Sequence, residues 1–328
     1  MRLGLCALGV ALMLGVVGGP ALAANDYACK KHFIFFPGGA EGDPFATVVY
    51  NGAFAAAQHT GCKVDYYWSN WNPEIMIRQF KEAVALHPDG IAIYGFPGDE
   101  AMRPIVKQAI DSGIAITTMN TPLPKLEGEY KTAGFGYAGA VLYDAGFNLG
   151  KKAVEVCGLK SGDKVFLWGL LSMPNRGDRT KGVKDALEKA GIQVVYQEIS
   201  DTVNADASQG TPVYVATFSR DPDLKAAITD HGSLTASLPT FMKAAGQAPG
   251  KVCGAGFDLS PAISKGIEDG YISVVIDQQP FIEGYIPIIQ LYLTTSFGFA
   301  GLNMDTGAAF VTKDNIKLVK PLADAQIR

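Results

Sequence analysis

The chain has 328 residues, with 28 Lys or Arg against 32 Asp or Glu, a formal net charge of −4 at pH 7. This mildly acidic balance argues against a nucleic-acid binder, and the length is comfortable for two domains, each burying its own core. Beyond the first residues no apolar stretch is long enough to span a bilayer.

Met1 and Arg2 form a short basic start, residues 3–17 are almost unbroken apolar sequence, and Ala21-Leu22-Ala23 is a small-x-small cleavage signal. The pattern is that of a secretory signal peptide over residues 1–23, with a periplasmic destination. Cys6 lies inside the apolar run rather than beside the cleavage site, so a soluble exported protein is expected, not a lipid-anchored one.

Residues 32–36 read as a strand ended by Pro37-Gly38-Gly39, and 46–58 as a helix with Val48, Val49, Phe54 and Ala55 at helical spacings. A strand at 64–68 follows, then a helix capped by Asn72 with Pro73 at its first position. Next come strand 91–94, helix 100–112, strand 115–119 and a fifth strand at 131–134. The rhythm restarts with helix 140–156, strand 164–171, helix 179–190, strand 193–198, helix 211–218 and strand 226–229. It continues with helix 234–245, strand 252–256, helix 261–269 and strand 272–276. The tail adds an apolar helix at 282–295, a short strand at 309–311 and a polar turn at 313–315.

Strand–helix alternation with short Gly- and Pro-marked turns implies an α/β protein of two similar doubly wound lobes, each a parallel sheet with helices on both faces. The tail is too small for a third core, so it completes the other two and the chain crosses between them more than once. The expected division is 24–136 with 279–307 for the N-terminal lobe and 137–278 with 308–328 for the C-terminal lobe.

Four cysteines remain after cleavage, an even number in an oxidising compartment. Cys29 and Cys62 precede two strands that start side by side if they are parallel neighbours, which makes Cys29–Cys62 the first choice of pair and leaves Cys157 with Cys253. Buried free thiols are the alternative. There is no CxxC or Cys/His cluster, so no metal or other cofactor is expected.

Gly134-Phe-Gly136-Tyr-Ala-Gly139 matches GxGxxG, but it lies mid-chain, and the acidic residue about twenty positions on, Glu155, falls inside a helix. A Gly-rich turn between the lobes is the simpler reading. GxxxxGK[ST], HExxH and GxSxG are all missing after residue 23, and the four histidines are scattered. Arg176-Gly177-Asp178 carries no weight as an adhesion signal.

In doubly wound sheets ligands bind beyond the carboxyl ends of the strands. Those ends gather Asp43, Phe45, Trp68, Asn70, Trp71, Phe96, Asn120 and Thr121 in the first lobe. The second contributes Trp168, the stretch 175–179 with Arg179 foremost, Asn204, His231, Asp258 and Gln278. Aromatic faces for the C–H face of a ring, with carboxylate, amide and guanidinium groups for hydroxyls, compose a saccharide site. Gln278 lies in VVIDQQPFIEGY (274–285), where a buried strand breaks into Asp277-Gln278-Gln279-Pro280 at a crossing between lobes, so it doubles as hinge and ligand contact.

Asp43-Pro44-Phe45, Arg179-x-x-Gly182, Gly256-Phe257-Asp258 and Asp277-Gln278-Gln279-Pro280 together resemble the periplasmic substrate-binding proteins of sugar ABC transporters, of the ribose-binding type. The resemblance covers essentially the whole chain after residue 23. It implies a type I periplasmic binding protein, a monomer without catalytic activity, whose lobes close on a sugar or polyol and deliver it to a membrane permease. It implies ligand contacts at Asp43, Phe45, Arg179, Asp258 and Gln278. Ribose binders carry Asp-Arg where Asn120-Thr121 stands and Asn-Asp where His231-Gly232 stands, so a different polyhydroxylated ligand is expected. Two alternatives share the cleft: a sensory binding protein for a furanose-like signal, and an exported sugar-processing enzyme using Asp43 and Asp258 across a bond.

Overall fold

A computed structural model describes residues 27–307 and 309–328; the expected signal peptide lies outside them. The strands before the first crossing are β1 (His32–Phe35), β2 (Lys63–Tyr66), β3 (Gly90–Tyr94), β4 (Ala115–Met119) and β5 (Gly136–Gly139). After it come β6 (Lys164–Gly169), β7 (Gln193–Glu198), β8 (Leu224–Thr229), β9 (Cys253–Phe257) and β10 (Ile272–Asp277). The tail supplies β11 (Asn303–Asp305) and β12 (Ala309–Thr312). Two six-stranded sheets result, ordered β11-β5-β4-β3-β1-β2 and β12-β10-β9-β8-β6-β7. All pairs are parallel except β10 with β12.

The central strands explain themselves. GIAIY of β3 and AITTM of β4 are buried at every position, as strands covered by helices on both faces must be. The edge strand β2, KVDY, has no fully buried residue. Helix Pro44–Thr60 starts where Asp43 Oδ1 accepts from the amides of Phe45 (3.0 Å) and Ala46 (2.8 Å), with Pro44 at the first helical position. Helix Pro280–Phe297 lies on the first lobe, packed along Pro44–Thr60.

Four features differ from the sequence reading. Lys131–Ala133 is a 3-10 turn, not a strand, and the strand is β5, inside the GxGxxG motif. Gly136 is needed there because a Cβ would come within 2.5 Å of the Leu302 carbonyl, where the chain runs into β11. Those glycines therefore serve strand packing rather than an inter-lobe turn, and because β5 belongs to the first sheet, the first crossing follows Gly139 rather than residue 136. The polar turn at 313–315 leads into a helix, Ile316–Asp324, and two further helices, Pro124–Tyr130 and Asp201–Ala205, fill segments left blank.

Cys29 is bonded to Cys62 and Cys157 to Cys253. The first bridge ties the leading ends of β1 and β2; the second ties the end of helix Leu142–Val156 to the start of β9.

Candidate functional site

An aromatic wall comes from the first lobe. Asn70 and Trp71 both take left-handed backbone (φ 52° and 53°), and their amides donate to the carbonyls of Gly39 (3.1 Å) and Gly38 (3.0 Å). Gly38, at φ 95°, has no Cβ, and one there would overlap the Trp71 indole. The indole thus drops into the lobe's upper end, with ring centroids 5.4 Å from Tyr94, 6.0 Å from Phe45 and 6.3 Å from Phe96. Its Nε1 donates to Asp43 Oδ2 (3.1 Å).

The polar floor is built where the chain crosses. Gln278 Oε1 accepts from Arg179 Nη1 (3.0 Å) and Asn120 Nδ2 (3.2 Å), and its Nε2 donates to Asp258 Oδ1 (2.6 Å). Asn120 Nδ2 also donates to Glu283 Oε2 (3.1 Å), whose other oxygen accepts from Thr306 Oγ1 (3.1 Å). Arg179 is fully buried, stacked 4.2 Å above the Phe257 ring, and its Nε has no partner. Burial lowers its pKa to about 10, Arg176 adding to the effect and Asp230 and Asp258 opposing it. Burial likewise raises Asp258 to about 6 against the pull of Arg179 and Gln278, and raises Glu283 to about 8, with Asp258 reinforcing the shift.

The two lobes are in contact across the cleft. Ser233 Oγ donates to Asp43 Oδ2 (3.3 Å), and Asn175 Nδ2 donates to Asp99 Oδ2 (3.0 Å) and the Pro122 carbonyl (3.0 Å). Met173 packs against the cores of both lobes. Between these contacts lies a cavity with about 530 Å³ of space free of protein atoms, part of it open to solvent.

Nine of the fourteen residues expected at the cleft line this cavity: Phe45, Trp71 and Phe96 on the aromatic side, Asn120 at the end of β4, Gln278 at the second crossing, and Arg179, Asn204, His231 and Asp258 from the second lobe. Asp43 stands behind the wall, its oxygens taken by helix amides, the Trp71 indole and Ser233. A carboxylate so occupied is a poor partner for an acid–base pair with Asp258. Thr121 is buried beside Asn120, donating to its Oδ1 (3.4 Å), and Asn70 is exposed on the loop.

Trp168 does not reach the cavity. It is buried in the second-lobe core, 5.6 Å from Phe166 and 5.9 Å from Phe241, because its place near the end of β6 turns the ring under the flanking helices. Trp68 turns outward onto Tyr50, 5.7 Å away, along the edge of the first sheet. Four lining residues were not expected, Leu170, Met173, Gly232 and Ser233, and a fifth, Arg176, falls in the strand-end stretch 175–179. Gly232 and Ser233 adjoin His231, and the loop after β6 carries the other three, so proximity in sequence was the available signal. Among the described residues no cluster of His, Cys, Asp and Glu could hold a metal ion, and no helix is long and apolar enough to cross a membrane.

A family model described as periplasmic binding protein domain matches residues 33–294. A xylose/arabinose-binding protein of Sulfolobus acidocaldarius is 26% identical over 255 residues, 74% of this chain and 61% of that protein. A D-ribose/D-allose-binding protein of Pseudomonas aeruginosa is 28% identical over 204 residues, 62% of this chain and 61% of that protein. The chain thus spans about three-fifths of these two relatives. Among solved structures, an ABC transporter solute-binding protein of Burkholderia graminis in complex with D-arabinose superposes with a TM-score of 0.77 at 26% identity, covering 89% of this chain and 98% of that one.

Proposed function

The chain belongs to the periplasmic binding protein domain family, and on that premise we propose that it captures a sugar or polyol in the inter-lobe cavity and delivers it to the permease of an ABC transporter. The observation that carries this reading is the pairing of an aromatic wall with buried polar atoms that have no protein partner. Arg179 Nε and His231 Nε2 are both buried and unpartnered, and both residues line the cavity. Buried donors and acceptors left unmatched are costly, about 1–3 kcal/mol each, so a site that keeps them is built for something that fills them. Trp71, Phe45 and Phe96 offer ring faces to the C–H side of a pyranose or furanose.

The relatives support the ligand class: they are named for xylose, arabinose, ribose and allose, and the Burkholderia structure holds D-arabinose. Function then follows from closure. The two lobes swing about the crossings, and contacts made to both walls at once favour the closed form in proportion to the ligand's preference for it. Asn120 and Gln278 are the residues that feel both ligand and hinge. The secretory leader read over residues 1–23 supports a periplasmic location, where the protein works as a monomer until it meets the permease.

Differential scanning fluorimetry against D-ribose, D-xylose, D-arabinose, L-arabinose, D-galactose and myo-inositol tests the reading. At least one compound is expected to raise the Tm, and Arg179→Ala to weaken its binding on the order of a hundredfold, as expected for losing charge-assisted hydrogen bonds in a desolvated site. Flat melting curves across pentoses, hexoses and polyols would remove polyhydroxylated compounds as the ligand class.

A further inference from the structure

Behind the second-lobe wall lies a buried chain of side chains that ligand capture alone leaves unassigned. Asp230 has no exposed surface. Its Oδ2 accepts from Thr180 Oγ1 (2.8 Å), Arg176 Nη1 (3.1 Å) and the Leu170 amide (3.2 Å), while Arg176 Nη2 donates to the Asp230 carbonyl (3.2 Å). Burial opposes a charge on Asp230, but Arg176, the hydrogen bond from His231 and Arg179 outweigh it and hold the carboxyl well below the usual range. Its remaining oxygen, Oδ1, lies 2.9 Å from His231 Nδ1.

This geometry fixes a tautomer. An ionised carboxylate has no proton to give, so the hydrogen between Oδ1 and Nδ1 belongs to the imidazole. Arg176 already balances the charge of Asp230, so the ring has only to supply one N–H. In the neutral ring that leaves Nε2 as a bare lone pair, on the far side from Asp230. Nε2 is buried, has no protein partner, and belongs to a residue lining the cavity.

Each cationic group at the cavity also has an acidic neighbour. Arg176 meets Asp230 directly, and Arg179 is linked to Asp258 through Gln278, which accepts from the one (3.0 Å) and donates to the other (2.6 Å). A carboxylate on the ligand would meet Arg179 only where Asp258 already faces it through Gln278, and would face the lone pair of Nε2 as well.

We propose that Arg176 and Asp230 are positioning residues that fix His231 as a hydrogen-bond acceptor in the cavity, so that the ligand is a neutral sugar or polyol presenting a hydroxyl proton to Nε2, and not a sugar acid. This rests on the reading of the cavity as a site for polyhydroxylated compounds and narrows it. An amide side chain at this position would both donate and accept. A locked imidazole accepts only, which is a sharper demand: a site built for one hydrogen bond rejects analogues lacking it far more strongly than a missing methylene.

The test needs no known ligand for its first arm. In full-length mature protein with ¹⁵N-labelled histidine rings, the His231 signals, assigned by their loss in His231→Gln, are expected to show a neutral ring with the proton on Nδ1 at pH 8. A proton on Nε2, or an even mixture of tautomers, would overturn the proposal. Asp230→Asn, whose amide can donate to Nδ1, is expected to move the proton to Nε2; should it fail to fold, the wild-type spectrum decides alone. The second arm compares Tm shifts from D-galactose, D-glucose and D-xylose with those from D-galacturonate and D-glucuronate. The neutral sugars are expected to give the larger shifts, with His231→Phe weakening their Kd about ten- to a hundredfold; a larger shift from either uronate refutes the ligand assignment. Silence from both panels would remove the polyhydroxylated-ligand reading and with it the ligand half of the proposal, while the tautomer result would still stand on its own.

Discussion

Glu283 gives the most quantitative expectation. It lies in the first turn of helix Pro280–Phe297, fully buried, with the Asn120 amide, the Thr306 hydroxyl and, more weakly, the Arg179 charge to stabilise an ionised form. Burial, reinforced by Asp258, raises its pKa from 4.5 to about 8. In the unfolded chain the proton leaves near the lower value; in the folded protein it stays until the higher one. Across that window the folded state binds more protons, so stability falls as pH rises and levels off above about 8. Linkage over pH 6 to 9 then gives a loss of about 3 kcal/mol from this group. Glu283→Gln keeps the shape and removes the titration. Urea unfolding of both proteins at pH 6, 7, 8 and 9 isolates the effect, because every other titrating group is common to them. The variant's advantage is expected to grow by about 3 kcal/mol between the extremes; a constant difference between the two curves would show that the buried carboxyl does not hold its proton as argued.

Two tryptophans should separate binding from stability. Trp168→Ala removes a fully buried ring and is expected to cost about 3–5 kcal/mol of stability in urea unfolding, whereas Trp71→Ala should mainly lower sugar affinity measured by calorimetry; equal effects on both readouts would mean the wall and the core had been confused. Asn175→Ala deletes the two hydrogen bonds that reach Asp99 and the Pro122 carbonyl across the cleft, and at about 0.5–1.5 kcal/mol each this shifts the ligand-free population toward open lobes. Small-angle scattering should then report a larger radius of gyration for the variant without sugar, and an unchanged radius would show that these bonds do not bias closure.

The alternation of strand and helix was legible because it rests on short-range chemistry: β-branched runs, Asn72-Pro73 and Asp43-Pro44 at helix starts, glycines at ends. β5 was missed because Gly-Tyr-Ala-Gly has little strand propensity of its own; it is a strand because Leu302 and β11 pack beside it, a contact about 165 residues away in sequence. The site was legible at strand ends as a location but not as a direction. Trp168 and Trp71 look alike in sequence, yet Trp168 lies within β6 with its ring under a helix layer, while Trp71 lies on the loop after β2, where left-handed backbone anchored on Gly38 and Gly39 turns its ring to the cleft, and that anchoring exists only in the folded lobe. Arg176 was legible by place, within the strand-end stretch 175–179, but not by role: that depends on Asp230, 54 positions on, and nothing local announces a buried ion pair.

The disulfides carry a mechanical consequence. Each joins segments of one sheet and its own helices, at the leading ends of strands whose trailing ends form the cavity. Neither staple spans the stretches after Gly139, Asp277 and Asp305 where the chain changes sheet. Oxidation therefore hardens each half as a lever at the pole farthest from the cargo and leaves the fulcrum untouched. In an oxidising compartment the protein gains stiffness in its arms without losing travel between them, and a reducing agent should soften the arms while leaving the angle through which they swing unchanged.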